Sequence, residues 1–561
     1  MVNLRTTFVV IAWYVVHACM VFAREEGVSV VFMPYYTKKQ MGKEVDAINN
    51  VTKARILDKR ANFTRDDNPY RISYAVYNFA PQPMWQDLVS AFLNARSHGV
   101  EVQMLVDAKQ LQSFETWNEG LQTLVKAGLR FSPTQINLTE VQQKNLELIG
   151  VNTSLRGNGL MHLKTRIFRW LDPVSKDPQS VLMTGSFNPE IGPAPDYGFL
   201  NNDTFLEIRD ADTIRKYQNK YNAVRGNKML VNEWDDESQL NVLFSPDPEG
   251  PLPVNQIMKW ISGEDELIFI WVFTLRNLVS KDNVTLFESL IAAKERGASI
   301  VVATDLNMVE NSTKNQLNKH LRQHGIPVYL CNNTAAQFVA MHAKNAMLGI
   351  TKPLIITDTC NWTGGALSSW WLPVAINDES TLWINATKDT QYGHLGVEFT
   401  SNFLAILRSY ESQPANRDQP KVQAIVDSLN TNVKAWRQIS ISFQVTLANT
   451  TDTAGDLKIF VLLNSVAGSG GVAWSDEREM VRKSVGQTVW VTSSPVQVPH
   501  GRMFNFKFGK SAGSSSKIKW EICKTGERFL IADPAFPGQT DVQSVNLDRL
   551  AVNVECIGCK M

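Results

Sequence analysis

Apolar positions along the chain fall into short β-branched runs separated by polar turns and by stretches of helical period. Val28–Pro34 reads as a strand closed by a proline, and Arg71–Phe79 as an alternating, aromatic strand. Between Trp85 and His98, Leu88, Phe92 and Ala95 recur at helical spacing, and Gly99 stands where a C-terminal cap belongs. Val100–Asp107 is the next strand. Strand, strand, helix, strand is the alternation of an α/β fold.

The same order returns after residue 240. Val242–Pro246 matches the first strand, with Phe244 and Pro246 opposite Phe32 and Pro34. Glu266–Phe273 matches Arg71–Phe79, Leu286–Arg296 is the helix with Gly297 behind it, and Ala298–Asp305 is the strand. The spacing from Gly99 to Asp107 equals that from Gly297 to Asp305, so the pattern predicts an internal duplication.

Each half then carries the same polar residues. The first has His162-x-Lys164 and Gly185-Ser186-Phe187-Asn188; the second has His342-x-Lys344 and Asp358-Thr359-Cys360-Asn361. After each Asn an acidic residue precedes a further strand, Asp203 in one half and Glu379 in the other. Two His, two Lys and two Asn brought together suit a phosphodiester. One imidazole attacks phosphorus, and the other protonates the leaving oxygen and then activates water. The ammonium and amide groups hold the non-bridging oxygens. A carboxylate on each His would fix its tautomer, a role that suits Asp203 and Glu379; the bland alternative for both is a solvated turn. No Asp/Glu/His cluster with metal spacing is present, so the expected mechanism uses no metal and no cofactor.

Composition adds limits. At 561 residues the chain exceeds one core, and 44% hydrophobic with 20% charged residues is ordinary globular composition. A net charge of +1 gives no general affinity for nucleic acid. Arg5, the apolar run Phe8–Ala23 and the small residue before Arg24 have the layout of a cleaved signal peptide, with an uncleaved anchor as the competing reading. Asn50, Asn62, Asn137, Asn152, Asn202, Asn283, Asn311, Asn332, Asn361, Asn385 and Asn449 begin glycosylation triplets, consistent with secretion. In an oxidising compartment a Cys331–Cys360 bridge is expected, and Cys523 would pair with Cys556 or Cys559. Cys556-x-x-Cys559 could instead be a redox or zinc pair.

The paired motifs resemble the phospholipase D superfamily over about residues 28–410. The resemblance implies two duplicated α/β lobes, with mixed sheets flanked by helices, and one active site between them. It implies catalytic His162, Lys164, Asn188, His342, Lys344 and Asn361, with His162 the nucleophile and His342 the acid/base. The family's Asp seven residues after each His is replaced by Arg169 and Gly349. The tyrosyl-DNA phosphodiesterase branch also lacks it. The stretch Asp172–Gln179 lengthens the route to Asn188; as a hairpin over the cleft it would shape substrate choice.

Beyond residue 433 the text changes to short strands and Gly-Ser turns, which predicts an all-β sandwich. Trp474, Trp520 and Lys507 resemble the sugar platform of a starch-binding module of carbohydrate-binding family 20, and Trp490 its core-strand Trp. The competing reading is a plain packing domain. The expected organisation is therefore a signal at 1–23, repeats at 24–225 and 226–410, a linker at 411–433, the sandwich at 434–535 and a tail at 536–561. The expected function is a secreted phosphodiesterase. Its substrate class is a phospholipid, a nucleic-acid end or a phosphoglycan, with a polysaccharide as the C-terminal partner and no obligate protein partner. The alternatives are a secreted or lysosomal-type nuclease, or an inert fold that binds carbohydrate.

Overall fold

The computed structural model describes residues 27–32, 37–60, 67–77, 86–107, 159–189, 201–226, 228–310, 315–332, 340–367, 377–387 and 389–422, with short pieces at 63, 79, 123–124, 130–133 and 424–425, and C-terminal strands between 438 and 560. The signal region lies outside these residues. No helix among them is long and apolar enough to cross a membrane.

Two seven-stranded sheets carry the duplication. In the first half the strands are β1 (Val28–Phe32), β2 (Arg71–Val76), β3 (Glu101–Val106), β4 (Arg130–Pro133), β5 (Thr165–Leu171), β6 (Pro178–Gly185) and β7 (Thr204–Ile208). In the second they are β8 (Leu240–Ser245), β9 (Leu267–Val272), β10 (Ser299–Asp305), β11 (Val328–Cys331), β12 (Lys344–Leu348), β13 (Leu354–Asp358) and β14 (Glu379–Asn385). The first sheet runs β1-β7-β6-β5-β2-β3-β4 and the second, read from its other edge, β8-β14-β13-β12-β9-β10-β11. The pairings also match: β2/β3/β4 and β9/β10/β11 are parallel and the rest antiparallel. The helices between β2 and β3 (α2, Gln86–Ser97, after α1, Thr37–Leu57) and between β9 and β10 (α5, Leu286–Arg296) both precede a glycine in left-handed backbone. Gly99 has φ +81° and Gly297 φ +115°, as the cap pattern requires.

Period two decides which core each residue enters. Ile268, Ile270 and Val272 of β9 point into a core closed by α4 (Pro253–Gly263) and α5, while Phe269 and Trp271 point the other way. On β6, Val181 and Met183 join the outer core of the first half, and Leu182 faces inward. The inward sets form one core shared by both sheets, with α3 (Ala211–Arg225) and α6 (Gly393–Tyr410) supplying Ile214, Tyr217, Phe399 and Phe403. Apolar burial thus fastens the two halves face to face.

Two expectations are corrected. Cys331 and Cys360 are free and buried, in different cores. Cys331 ends β11 and Cys360 follows β13, four strand positions away. At about 4.8 Å per strand that is roughly 19 Å, beyond disulfide reach. Asp172–Asp177 does turn between β5 and β6, with Asp172 accepting from the N–H groups of Val174 and Ser175. His162 and Asn188 flank the opposite ends of these strands, roughly 20 Å away at about 3.3 Å per residue. The hairpin does not overlie the cleft.

Among the described residues the C-terminal region is all-β: ten strands form one hydrogen-bonded array and two more a short ribbon. Phe443, Ile459, Val461, Met480, Trp490 and Phe508 are buried there. Trp490 is therefore a core residue, with the Arg482 guanidinium 4.8 Å from its ring. The ribbon places Cys559 opposite Cys523 in backbone register.

Candidate active site

The motif residues gather where the parallel strands end. His162 and Lys164 lead into β5, and His342 and Lys344 into β12. Asn188 follows β6 by three residues, as Asn361 follows β13. The aspartates that close the repeated strands hold the residue before each His. Asp107 Oδ2 accepts from Met161 N at 2.6 Å, and Asp305 Oδ2 from Met341 N at 3.2 Å.

The orienting carboxylates are exchanged between halves. His162 Nδ1 lies 2.8 and 2.9 Å from the two oxygens of Glu379, and His342 Nδ1 lies 2.7 Å from Asp203 Oδ1. Backbone bonds impose the exchange. Asp378 N donates to Leu160 O and His162 N to Asp378 O, while Asn202 N donates to Ala340 O. Asn377 Oδ1 accepts from Leu160 N, as Asn201 Oδ1 does from Ala340 N. A carboxylate acceptor puts the ring proton on Nδ1 and leaves the Nε2 lone pair for chemistry.

A hydroxyl completes each carboxylate. Ser186 Oγ donates to Asp203 at 2.6 Å and accepts from Thr204 N at 2.8 Å. Thr359 Oγ1 donates to Glu379 at 2.7 Å and accepts from Ser380 N at 2.9 Å. Each His and Lys also share an aromatic ring. Tyr77 lies 5.0 Å from His162 and 5.7 Å from Lys164 Nζ; Phe273 lies 4.8 Å from His342 and 5.2 Å from Lys344 Nζ. Lys164 Nζ donates to His162 O at 2.9 Å, and Lys344 Nζ likewise to His342 O.

Electrostatics follow from burial. Both Lys side chains are at most 1% exposed. Burial pushes His162 down to about 4, with Lys164 and Lys344 adding to the shift and Glu379 opposing it. Burial likewise brings His342 to about 4, with Lys344 and Lys164 adding and Asp203 opposing. Each His thus senses the Lys of the other half. Burial alone would raise Asp203, yet His342, Lys344 and Ser186 hold it below the usual carboxylate range. At neutral pH the site offers two neutral imidazoles, two anchored carboxylates and two buried cations. That set can attack phosphorus, neutralise its oxygens and move a proton.

Of the eight expected residues, His162, Lys164, His342, Lys344, Asp203 and Glu379 meet at this junction, while Asn188, buried, and Asn361, half-buried, each stand three residues beyond a central strand. The Asn361 Oδ1 atom is buried without a hydrogen-bond partner. The sequence pattern assigned no role to Ser186, Thr359, Tyr77 or Phe273. Matched hydroxyls two residues before each Asn, and matched aromatics beyond β2 and β9, were the available signal. Arg169 and Gly349 sit far along β5 and beyond β12, away from the His residues. Gly349 takes φ +80° and makes a turn. Trp474 lies outside the described residues; Lys507 and Trp520 fall in strands whose side chains are not described.

The family described as "Cardiolipin synthase, PLD-like domain" matches residues 68–225 and 262–401, more than half of the chain. No curated protein matches. Among solved structures, the chain is similar to phosphatidylserine synthase from Haemophilus influenzae at 13% identity and TM-score 0.43, covering 73% of this chain and 96% of that one. It is similar to a mutant of yeast tyrosyl-DNA phosphodiesterase at 10% and 0.37, covering 64% and 91%. It is similar to polyphosphate kinase from Porphyromonas gingivalis at 13% and 0.41, covering 68% of this chain and 47% of that one, about half the kinase's length.

Proposed function

The chain belongs to the PLD-like domain family, and from that premise we propose that it is a secreted, metal-independent phosphodiesterase working through a covalent phosphohistidine. The crossed His–carboxylate pairs carry the reading, because each leaves one Nε2 lone pair beside buried cations.

His162 Nε2 attacks phosphorus, and the P–O bond to the leaving group breaks as protonated His342 gives that oxygen its proton. Neutral His342 then takes a proton from water, whose oxygen attacks phosphorus. The P–N bond breaks and its electron pair returns to His162. Lys164, Lys344, Asn188 and Asn361 hold the non-bridging oxygens throughout. An anionic substrate offsets the repulsion from the two Lys and so favours the protonated acid. The role of His162 as nucleophile comes from the family resemblance.

A phospholipid is the first substrate choice, since the near-neutral net charge disfavours long nucleic acid. The low-titrating histidines favour an acidic lumen, which keeps the lysosomal-type nuclease as second reading. Trp474, Lys507 and Trp520 would stack and bind glycan in the C-terminal region and hold the enzyme near polysaccharide. Retention on a starch column, lost in Trp520→Ala, tests that.

The decisive assay is hydrolysis of a bis-aryl phosphodiester in EDTA. Turnover should persist in EDTA and fall by about 10⁴-fold or more in His162→Ala. Absence of EDTA-resistant, His162-dependent turnover would favour the inert reading. Secretion is tested by glycopeptide mapping. The exposed Asn50 and Asn283 should carry glycan, whereas buried Asn202 and half-buried Asn361 should be bare. High occupancy at Asn361 would sink the site assignment.

A further inference from the structure

The two halves differ at one backbone position with left-handed geometry. Gly185 sits there in the first half at φ +133°, and Asp358 in the second at φ +115°. Glycine in the first half has a steric cause: a β-carbon on Gly185 would lie 2.2 Å from Thr204 O. In the second half the neighbouring backbone hydrogen bond is longer. Thr359 N lies 3.2 Å from Ser380 O, against 2.9 Å for Ser186 N and Thr204 O. There is room for a side chain, yet a β-carbon in this conformation is disfavoured and persists only where its surroundings hold it.

The Asp358 surroundings do hold it, and they belong to the other half. Thr184 Oγ1 at the end of β6 donates to Asp358 Oδ1 at 2.7 Å. The Tyr217 hydroxyl, on α3, donates to Oδ2. Asp358 is 1% exposed and also faces the Ser380 hydroxyl and the Glu379 carboxylate. Its chain neighbour Thr359 is the residue that donates to Glu379, which in turn holds His162.

We propose that Asp358 is a positioning residue: it anchors the second-half loop to the first half and thereby sets the Thr359–Glu379–His162 relay. Asparagine tolerates left-handed backbone and matches the carboxylate in shape; its Oδ1 can still accept from Thr184, while its amide N–H would donate to the Tyr217 hydroxyl oxygen, which then turns its own proton to Ser380, so the anchor is kept. Glycine relieves the backbone but removes the anchor. The link to turnover rests on the phosphodiesterase reading; the link to His162 does not.

The test compares Asp358→Asn with Asp358→Gly in the full chain, reading the histidine titrations by NMR alongside turnover of the bis-aryl phosphodiester. In Asp358→Gly, Glu379 loosens and water reaches His162. Losing the Glu379 contact alone would lower the titration, but burial is the larger cause of its low value, so the entry of water should move it up from about 4 toward 6.5 by at least one unit, while Asp358→Asn stays near wild type. The kcat of Asp358→Gly should fall by about 10- to 100-fold with KM within about twofold, as misplacement of a reacting group predicts. An unmoved His162 titration in Asp358→Gly overturns the proposal whatever the activity. A moved titration in a wild-type protein that hydrolyses nothing upholds the anchor and removes the phosphodiesterase reading alone. If Asp358→Gly does not fold, the pair Thr184→Val with Tyr217→Phe removes the anchor from the other side. The same shift is then expected, and its absence overturns the proposal.

Discussion

The two halves share a topology and exchange their carboxylates symmetrically, yet they brace their His-x-Lys strands with different chemistry. In the first half, fully buried Arg166 ties the strand together. It donates to Lys164 O and Phe187 O, bonds Tyr74 and forms an ion pair with Glu44 at 3.2 Å. In the second half the brace is neutral: Asn345 donates to Thr204 Oγ1 and accepts from Thr357 Oγ1, both at 2.7 Å. The groups that would meet a phosphodiester in the proposed reaction are duplicated closely, while the groups behind them have diverged. A brace has only to satisfy its own polar atoms, and several residue sets do that; the reacting groups must match one geometry.

The sharpest way to break this symmetry is to neutralise each carboxylate and ask which His suffers. Glu379→Gln should disable His162, and Asp203→Asn should disable His342. Each should cost about 10² to 10⁴ in kcat, by analogy with removing the orienting acid of a His pair. The two variants part on substrate. With a good aryl leaving group Asp203→Asn should lose less, because protonation of that oxygen matters less, while Glu379→Gln stays impaired. Equal losses on good and poor leaving groups would contradict the assignment of roles.

The braces should differ in stability. Arg166→Met leaves Glu44 buried without its cation and should cost about 3–5 kcal/mol in denaturant unfolding. Asn345→Ala strands two hydroxyls and should cost about 1–3 kcal/mol. A reversed order would mean that the charged brace is dispensable.

The smallest effect is on pH dependence, where the halves act alike. The proposed mechanism needs one His neutral and the other protonated in the free protein, and burial brings both to about 4. The required form is therefore most abundant near pH 4, and its share falls about tenfold per unit above pH 5. The kcat/KM profile should follow it and peak on the acid side. A plateau across pH 6 to 8 would show that the Lys repulsion and burial are offset in solution.

Much of this was legible in the sequence because it is periodic or local. Gly99 and Gly297, the strands behind them and the terminal Asp107 and Asp305 repeat at fixed spacing, and so did the fold. The His, Lys and Asn residues sit beside strand ends that the pattern located. The exchange of carboxylates was not legible, since Glu379 reaches His162 across 217 positions and Asp203 reaches His342 across 139. Nothing local in the sequence marks the role of Arg166, because its partner Glu44 arrives from α1. The Cys331–Cys360 expectation failed for a related reason: 29 positions along the chain say nothing about the three strands that lie between theirs in the sheet.

The exchange also bears on the timing of synthesis. His162 leaves the ribosome with no carboxylate to receive its Nδ1 proton, because Glu379 is encoded 217 residues later. At about 5–20 residues per second, roughly 10–40 s pass before the partner exists. On the proposed mechanism the nascent first half would therefore be chemically silent. Competence would arrive only when the second half has docked, giving the chain its own delay between translation and the proposed activity.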